Sequence, residues 1–212
     1  MLSEVEQLVD LLRKSNRQDG KGFSEAETGL LSRYYELVLK WNNRLHLTTL
    51  TRPQEFFERH ILESAFSESL ILSSINQVWD LGSGLGVPGM VIATLRPDLA
   101  VHLVEVSRNK VLFLEETARD LRLNNVKVIE SRFEAIESIP GESCLTVRAI
   151  EGMEKMIPEI LRLGSETSQI LIFGAKSLEE KAQGILGDQR HLESSLIPGS
   201  IRRYVINIFR ST

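Results

Sequence analysis

A chain of 212 residues with 42% hydrophobic and 25% charged residues has the balance of an ordinary globular protein, with room for one large domain or a domain plus an appendage. Charges interrupt every apolar run, which excludes a membrane-spanning helix, and the acidic start Met1-Leu2-Ser3-Glu4 does not read as a secretory signal. The single cysteine, Cys144, excludes an internal disulfide framework and makes the reducing cytoplasm the expected compartment, while a net charge of −4 argues against non-specific binding to nucleic acid but not against a local basic cleft.

Residues 1–75 read as a helical extension. Leu2, Val5, Leu8, Val9 and Leu12 recur at helical spacing up to the turn Gly20-Lys21-Gly22. Ser24-Glu25-Ala26-Glu27 has capping-box spacing, so a second helix starts there, with Leu30, Tyr34, Leu37, Val38, Trp41 and Leu45 on one face. Pro53 suits the first turn of a third helix, running through Phe56, Phe57, His60, Ile61 and Ala65.

From residue 76 to 212 the pattern changes to short apolar runs alternating with amphipathic helices, the signature of βαβ units on a parallel sheet. Strands are predicted at 78–81, 101–106, 126–129, 144–147 and 170–173. Helices are predicted at 87–96, 107–122, 132–138, 151–163 and 177–187. The runs 192–197 and 201–209, joined by Pro198-Gly199-Ser200, predict an antiparallel pair. Five βα repeats closed by such a hairpin give a Rossmann-like α/β fold of the class I methyltransferase type: a mostly parallel seven-stranded sheet, an antiparallel C-terminal hairpin and an N-terminal helical extension.

The sharpest local signal is Val78-Trp79-Asp80-Leu81-Gly82-Ser83-Gly84-Leu85-Gly86-Val87-Pro88-Gly89, a strand entering a glycine loop that opens a helix. Gly84, Gly86 and Gly89 spell GxGxxG, which on its own suggests a dinucleotide. Asp80 points the other way, since a carboxylate there repels a diphosphate and attracts the ammonium and sulfonium of S-adenosylmethionine. Glu105, ending the second strand, reads as an acceptor for two ribose hydroxyls, and otherwise as a solvated charge at a strand end. Ser131-Arg132-Phe133-Glu134 follows the third strand, where Phe133 and Glu134 suit an adenine; a plain helix start capped by Ser131 reads almost as well.

The loop after the fourth strand, Thr146-Val147-Arg148-Ala149-Ile150, faces the transferred methyl in this architecture. It lacks the Asp/Asn-Pro-Pro-aromatic stretch of exocyclic-amine methyltransferases. It also lacks the Pro-Cys pair of pyrimidine carbon-5 enzymes, and Cys144 lies at the wrong end of its strand and reads as core. Arg148 and Lys176 at neighbouring strand ends are therefore the candidate catalytic cations; a fixed cation such as Arg148 suits an anionic or acceptor-rich substrate, or the carboxylate of the cofactor's methionine moiety. A nucleophile with its own lone pair, such as guanine N7, needs alignment rather than a base. The four histidines show no metal-ligand spacing, so no metal is expected.

On these residues the chain resembles the bacterial RsmG (GidB) family over nearly its whole length. Tyr34…Leu39-Lys40-Trp41-Asn42…Leu47-Thr48 resembles the family's helical stretch. Glu58-Arg59-His60-Ile61-Leu62-Glu63-Ser64 is similar to its Glu-Arg-His-x-Leu-Asp-Ser motif, with Glu63 for Asp. Gly82-Ser83-Gly84-Leu85-Gly86-Val87-Pro88-Gly89 is similar to its proline-containing loop. The resemblance implies methylation of a guanine N7 in small-subunit (16S) ribosomal RNA, presented alone or in the 30S subunit, by a monomer using S-adenosylmethionine. It implies that Asp80, Gly82, Ser83, Gly84, Gly86, Glu105, Val106, Phe133, Glu134 and Arg148 bind the cofactor or shape its pocket. It further implies that Arg59, His60, Arg132 and Lys176 lie near the RNA; without it, His60 reads as a satisfied core histidine. A basic rim of Arg44, Arg52, Arg59, Lys176, Arg202 and Arg203 is expected to grip the RNA, with the extension covering the pocket. Departures stand at Asn109-Lys110, Val147-Arg148-Ala149, Ala175-Lys176-Ser177 and the end Arg210-Ser211-Thr212. The rival readings are a small-molecule methyltransferase and an RNA-binding assembly factor without turnover.

Overall fold

The computed structural model describes residues 2–17, 20–148, 152–187 and 190–210. Its first helix, α1 (Glu4–Lys14), buries Leu8 and Leu12. The expected box starts α2 (Glu25–Leu45): the Ser24 hydroxyl accepts the Glu27 amide, and the Glu27 carboxylate accepts the Ser24 amide. The predicted third helix is three pieces in line: α3 (Pro53–Phe56), a π turn (Phe57–Leu62) and α4 (Glu63–Ser69). Such wide turns are rare and concentrate at functional sites; this one falls on Glu58-Arg59-His60.

Seven strands follow among the described residues. They are β1 (Gln77–Leu81), β2 (Ala100–Glu105), β3 (Val126–Glu130), β4 (Ser143–Arg148), β5 (Gln169–Gly174), β6 (His191–Leu196) and β7 (Tyr204–Phe209). They form one sheet in the order β3-β2-β1-β4-β5-β7-β6. Pairings among β1 to β5 are parallel, and β7 runs antiparallel to both β5 and β6. The strand order reverses between β1 and β4, and a crevice therefore opens at the carboxyl ends of those two strands.

Alternation along the strands divides the core. Val78, Val101 and Leu103 face a layer made by α5 (Gly89–Leu95), α6 (Arg108–Asp120) and the N-terminal helices. Leu81, Val104, Leu145, Val147, Ile170 and Ile172 face α7 (Met153–Leu163) and α8 (Ser177–Leu186). Helix α2 is tied to α6 by an Arg33–Asp120 fork at 2.8 and 2.9 Å and by an edge-on Trp41–Phe113 contact. Cys144 is fully buried, as its strand position predicts.

Several boundaries differ from expectation. The helix predicted at 132–138 is a single 3-10 turn, Phe133–Ala135, because its two apolar residues, Phe133 and Ile136, give too little to bury and Ile136 turns extended. The last strand begins at Tyr204 rather than at 201, and Ile201 is 86% exposed in the preceding turn. The helix predicted from 151 starts at Met153. Residues 149–151, hence Ala149 and Ile150 of the proposed methyl-facing loop, lie outside the described residues, as do Ser211 and Thr212. Among the described residues no helix is long and apolar enough to cross a membrane.

Candidate cofactor and substrate site

The β1 loop needs its glycines for two reasons. Gly84 sits at φ +59°, which a Cβ disfavours, and donates its amide to Glu105 Oε2 at 2.9 Å. Gly86, at φ +100°, leaves no room, since a Cβ there would meet Met90 Cγ at 2.7 Å. Glu105 Oε1 accepts the amides of Val106 and Ser107 at 2.9 and 2.8 Å. The loop and the end of β2 are thus held together by one carboxylate.

Asp80, expected to bind the cofactor or shape its pocket, sits behind the glycine loop. It is buried, and its carboxylate accepts the Thr146 hydroxyl at 2.8 Å and the Gly89 amide at 3.4 Å, behind the loop. Burial pushes its pKa up to about 6 against the lowering effect of these bonds. At the end of a central strand both flanks are covered, so the side chain pins β4 and α5 instead of lining the crevice.

Gly82, Ser83, Gly84, Glu105, His60 and Arg148 come together on one cavity, with Leu47, Leu85, Val87 and Lys110. The remaining expected residues do not line it. Gly86 packs on Met90, Val106 is exposed at the rim, Phe133 is half-buried against the second core, and Arg132 and Glu134 are exposed. Lys176 is exposed just before α8 and does not line this cavity.

The extension supplies one wall. Asn42 clasps the backbone of Thr48 with two bonds of 2.9 Å, and the Thr48 hydroxyl meets His60 Nε2 at 3.0 Å. Tyr34 donates its hydroxyl to the Leu85 carbonyl at 2.7 Å, tying α2 to the glycine loop. The Trp-Asn…Leu-Thr stretch is therefore a brace that seats His60. His60 is buried, stands edge-on to Phe56, and presents Nδ1 to Arg148 Nη2 at 3.5 Å. A ring nitrogen facing a guanidinium must offer its lone pair, which puts the proton on Nε2. Burial and the charges of Arg148 and Arg59 press its pKa down to about 3, so the ring is neutral.

Arg148, at the end of β4, is the hub. Its Nη2 donates to the Arg59 carbonyl at 2.6 Å and pairs with Glu63 at 3.2 Å, and its guanidinium lies over the Phe173 ring at 5.6 Å. Burial, and then the charge of Arg59, lower its pKa to about 10, which still leaves it charged near neutrality. Its Nη1 is buried without a hydrogen-bond partner. Buried donors are normally satisfied, so this one marks where a ligand acceptor is missing. This set can take a ribose hydroxyl at Glu105 and an acceptor atom at Arg148. Phe173 also lines a separate cavity of about 420 Å³, with Gly152, Met153, Lys155, Gly174 and Leu178. Arg148 thus lines the first cavity and lies against the Phe173 ring, which lines the second. Sequence alone pointed to the loop, Glu105 and Arg148; it did not assign site roles to Tyr34, Thr48 or Glu63, which stood out only within the resembling motifs, or to Lys110, which stood only in a departure from the family.

A family model described as GidB, rRNA small subunit methyltransferase G, matches residues 27–194. A protein of Xanthomonas oryzae pv. oryzae named ribosomal RNA small subunit methyltransferase G is 39% identical over 127 residues, which are 60% of this chain and 59% of that protein. One of the same name from Nitrosomonas eutropha is 37% identical over 131 residues, 60% of this chain and 58% of its own length. The chain thus spans less than two thirds of these curated relatives. Among solved structures, the METTL16 MTase domain aligns with a TM-score of 0.62 at 12% identity, covering 99% of this chain and 93% of that one. The 23S rRNA methyltransferase ErmE aligns at 0.56 and 14% identity, covering 71% and 67%. At these identities the likeness is one of fold.

Proposed function

Because the chain belongs to the GidB family, rRNA small subunit methyltransferase G, we propose that it transfers a methyl group from S-adenosylmethionine to N7 of a guanine in small-subunit (16S) ribosomal RNA. The observation that carries this reading is the convergence of the Gly82–Gly84 backbone, Glu105 and the unsatisfied Arg148 Nη1 on one cavity at the strand-order reversal. When bound, S-adenosylmethionine supplies an electrophilic methyl on a sulfonium.

The chain's own residues then bind and align. Glu105 accepts a ribose hydroxyl at Oε2, beside the Gly84 amide, and Lys110 lines the same cavity. Asp80 adds its field from behind the loop while fixing Gly89 and Thr146. The guanine approaches from the side of Phe173, on whose ring the Arg148 guanidinium lies, so that Arg148 donates to O6, the acceptor next to N7. N7 has a lone pair, so no base is required, and neutral His60 holds Arg148 in place rather than taking a proton. Val106, Phe133 and Glu134 flank the adenine side of the open rim, and Arg132 and Lys176 meet RNA farther out. Residues 1–75 act as a cap over the 76–212 methyltransferase domain; the enzyme works in the cytoplasm as a monomer, on ribosomal RNA or the 30S subunit.

The test is a tritiated-methyl assay on deproteinised small-subunit RNA and on assembled subunits, followed by N7-specific cleavage. Label at a guanine N7 in either supports the reading. Label in neither, with turnover on a metabolite extract, replaces it with a small-molecule activity.

A further inference from the structure

Glu63 is a buried carboxylate shared by three arginines from distant parts of the chain. Arg59 Nε approaches Oε1 at 2.8 Å from the π turn, Arg148 Nη2 approaches Oε2 at 3.2 Å from β4, and Arg203 Nη1 contacts Oε1 from the turn before β7. Glu58 lies near Arg203 and hydrogen-bonds with Gln54. Glu58 and Asp80 act on Arg203 and Arg148 from farther off, but all three guanidiniums pair directly with this one carboxylate, and Arg59 and Arg203 share its Oε1. One guanidinium neutralises one carboxylate, and each further one brought out of water costs free energy without a partner. Two guanidiniums sharing one carboxylate oxygen are each left with free donors, and these point to an anion that completes the group. Arg148 is deep, with 10% of its side chain exposed, but Arg59 and Arg203 are 38% and 30% exposed and open to solvent.

Arg203 is held ready. Pro198-Gly199, with Gly199 at φ +74°, makes a turn closed by the Ser200 amide on the Ile197 carbonyl at 2.9 Å. The Ser200 hydroxyl accepts the amides of Arg202 and Arg203 at 3.3 and 3.0 Å, and the Arg203 carbonyl accepts the Ile197 amide at 2.9 Å. A backbone fixed at both its amide and its carbonyl leaves little freedom to lose on binding. Neither Arg59 nor Arg203 lines the cavity of Glu105 and the glycine loop, so a cofactor carboxylate is not their ligand.

Resting on the reading above, we infer that Arg59 and Arg203, poised on Glu63, form a cradle for one backbone phosphate of the RNA beside the target guanine. Two forks on one phosphodiester suit the bidentate chemistry of arginine. Lys176 and Arg132 are not part of it.

The test measures affinity for deproteinised small-subunit RNA against salt, with S-adenosylmethionine affinity measured by calorimetry, for Arg203→Gln, Arg59→Gln and the double variant. Glu63 keeps Arg148 in all three. Each single change is expected to weaken RNA binding about five- to tenfold near physiological salt. The double variant should flatten the log–log salt slope by about one phosphate, ~0.7 to 0.9, rather than two, with cofactor affinity unchanged. Arg203→Lys, which keeps the charge beside Glu63, guards against misfolding: it should keep the slope and lose affinity roughly threefold. A double variant with wild-type slope and affinity, in a protein that does methylate RNA, overturns the cradle alone. Loss of cofactor affinity overturns it in favour of the cofactor site. A wild-type chain that neither binds nor methylates RNA removes the functional reading, and the cradle with it.

Discussion

Asp80→Asn should change how stability depends on pH, not merely its size. The carboxyl ordinarily titrates near 3.8 and is raised to about 6 in the fold by burial. The folded protein therefore holds a proton that the unfolded chain has released between those values, and stability falls as pH rises through this window. The full difference corresponds to roughly 3 kcal/mol, of which about 2 kcal/mol is lost between pH 4 and 6. His60 acts with the opposite sign: pressed from 6.5 to about 3, it stays neutral while the unfolded chain takes a proton, so its contribution rises with pH over much the same window. The two slopes nearly cancel, and the wild-type curve alone reveals neither. Urea unfolding of wild type and Asp80→Asn at intervals from pH 4 to 7 isolates the effect, since the difference removes His60 and every other group. The variant should gain about 2 kcal/mol relative to wild type on going from pH 4 to 6, whatever constant offset the amide's altered bonds to Thr146 and Gly89 impose. Parallel curves would refute the argument that burial has made this carboxylate hard to ionise.

Three other outcomes follow from the geometry. Tyr34→Phe deletes the hydroxyl bound to the Leu85 carbonyl and should destabilise by about 1 to 2 kcal/mol in thermal or urea unfolding, with weaker cofactor binding because the glycine loop is freed. Glu105→Gln keeps the shape but weakens the acceptors; calorimetry with S-adenosylmethionine should show roughly a tenfold loss of affinity, about 1.4 kcal/mol. His60, neutral and seated by Thr48, gives the rate no inflection of its own between pH 5 and 8. His60→Gln should therefore lower kcat through misplacement of Arg148 without changing the shape of the pH profile in that range, and a profile that changes shape would make His60 a proton carrier.

The parts of the site written in contiguous residues were readable. Gly82 to Gly86 follow a strand in one stretch, and Glu105 ends the next strand, so periodicity and chain direction bring them to one crevice. His60 shows the limit: it is both a buried aromatic neighbour of Phe56 and a cavity wall, and periodicity cannot separate those roles. Lys176 shows the failure. Adjacency of strand ends implied a partner for Arg148, but α8 starts at Ser177, where expected, and Lys176 just before it is exposed, a side-chain orientation that strand order does not fix. The expected helix at 132–138 failed likewise, since polar residues at its ends outweighed two apolar ones.

The amino-acid order by itself determined the βα alternation, the closing hairpin, the capping box of α2 and the glycine loop, because each depends on residues within a few positions of one another. Only the tertiary structure decided that Asp80 faces inward, that Thr48 seats His60, and that Arg59, Arg148 and Arg203 meet on Glu63. Those arrangements depend on burial and on charges from β4, the π turn and the last hairpin, and no local pattern records which distant groups share one low-dielectric space.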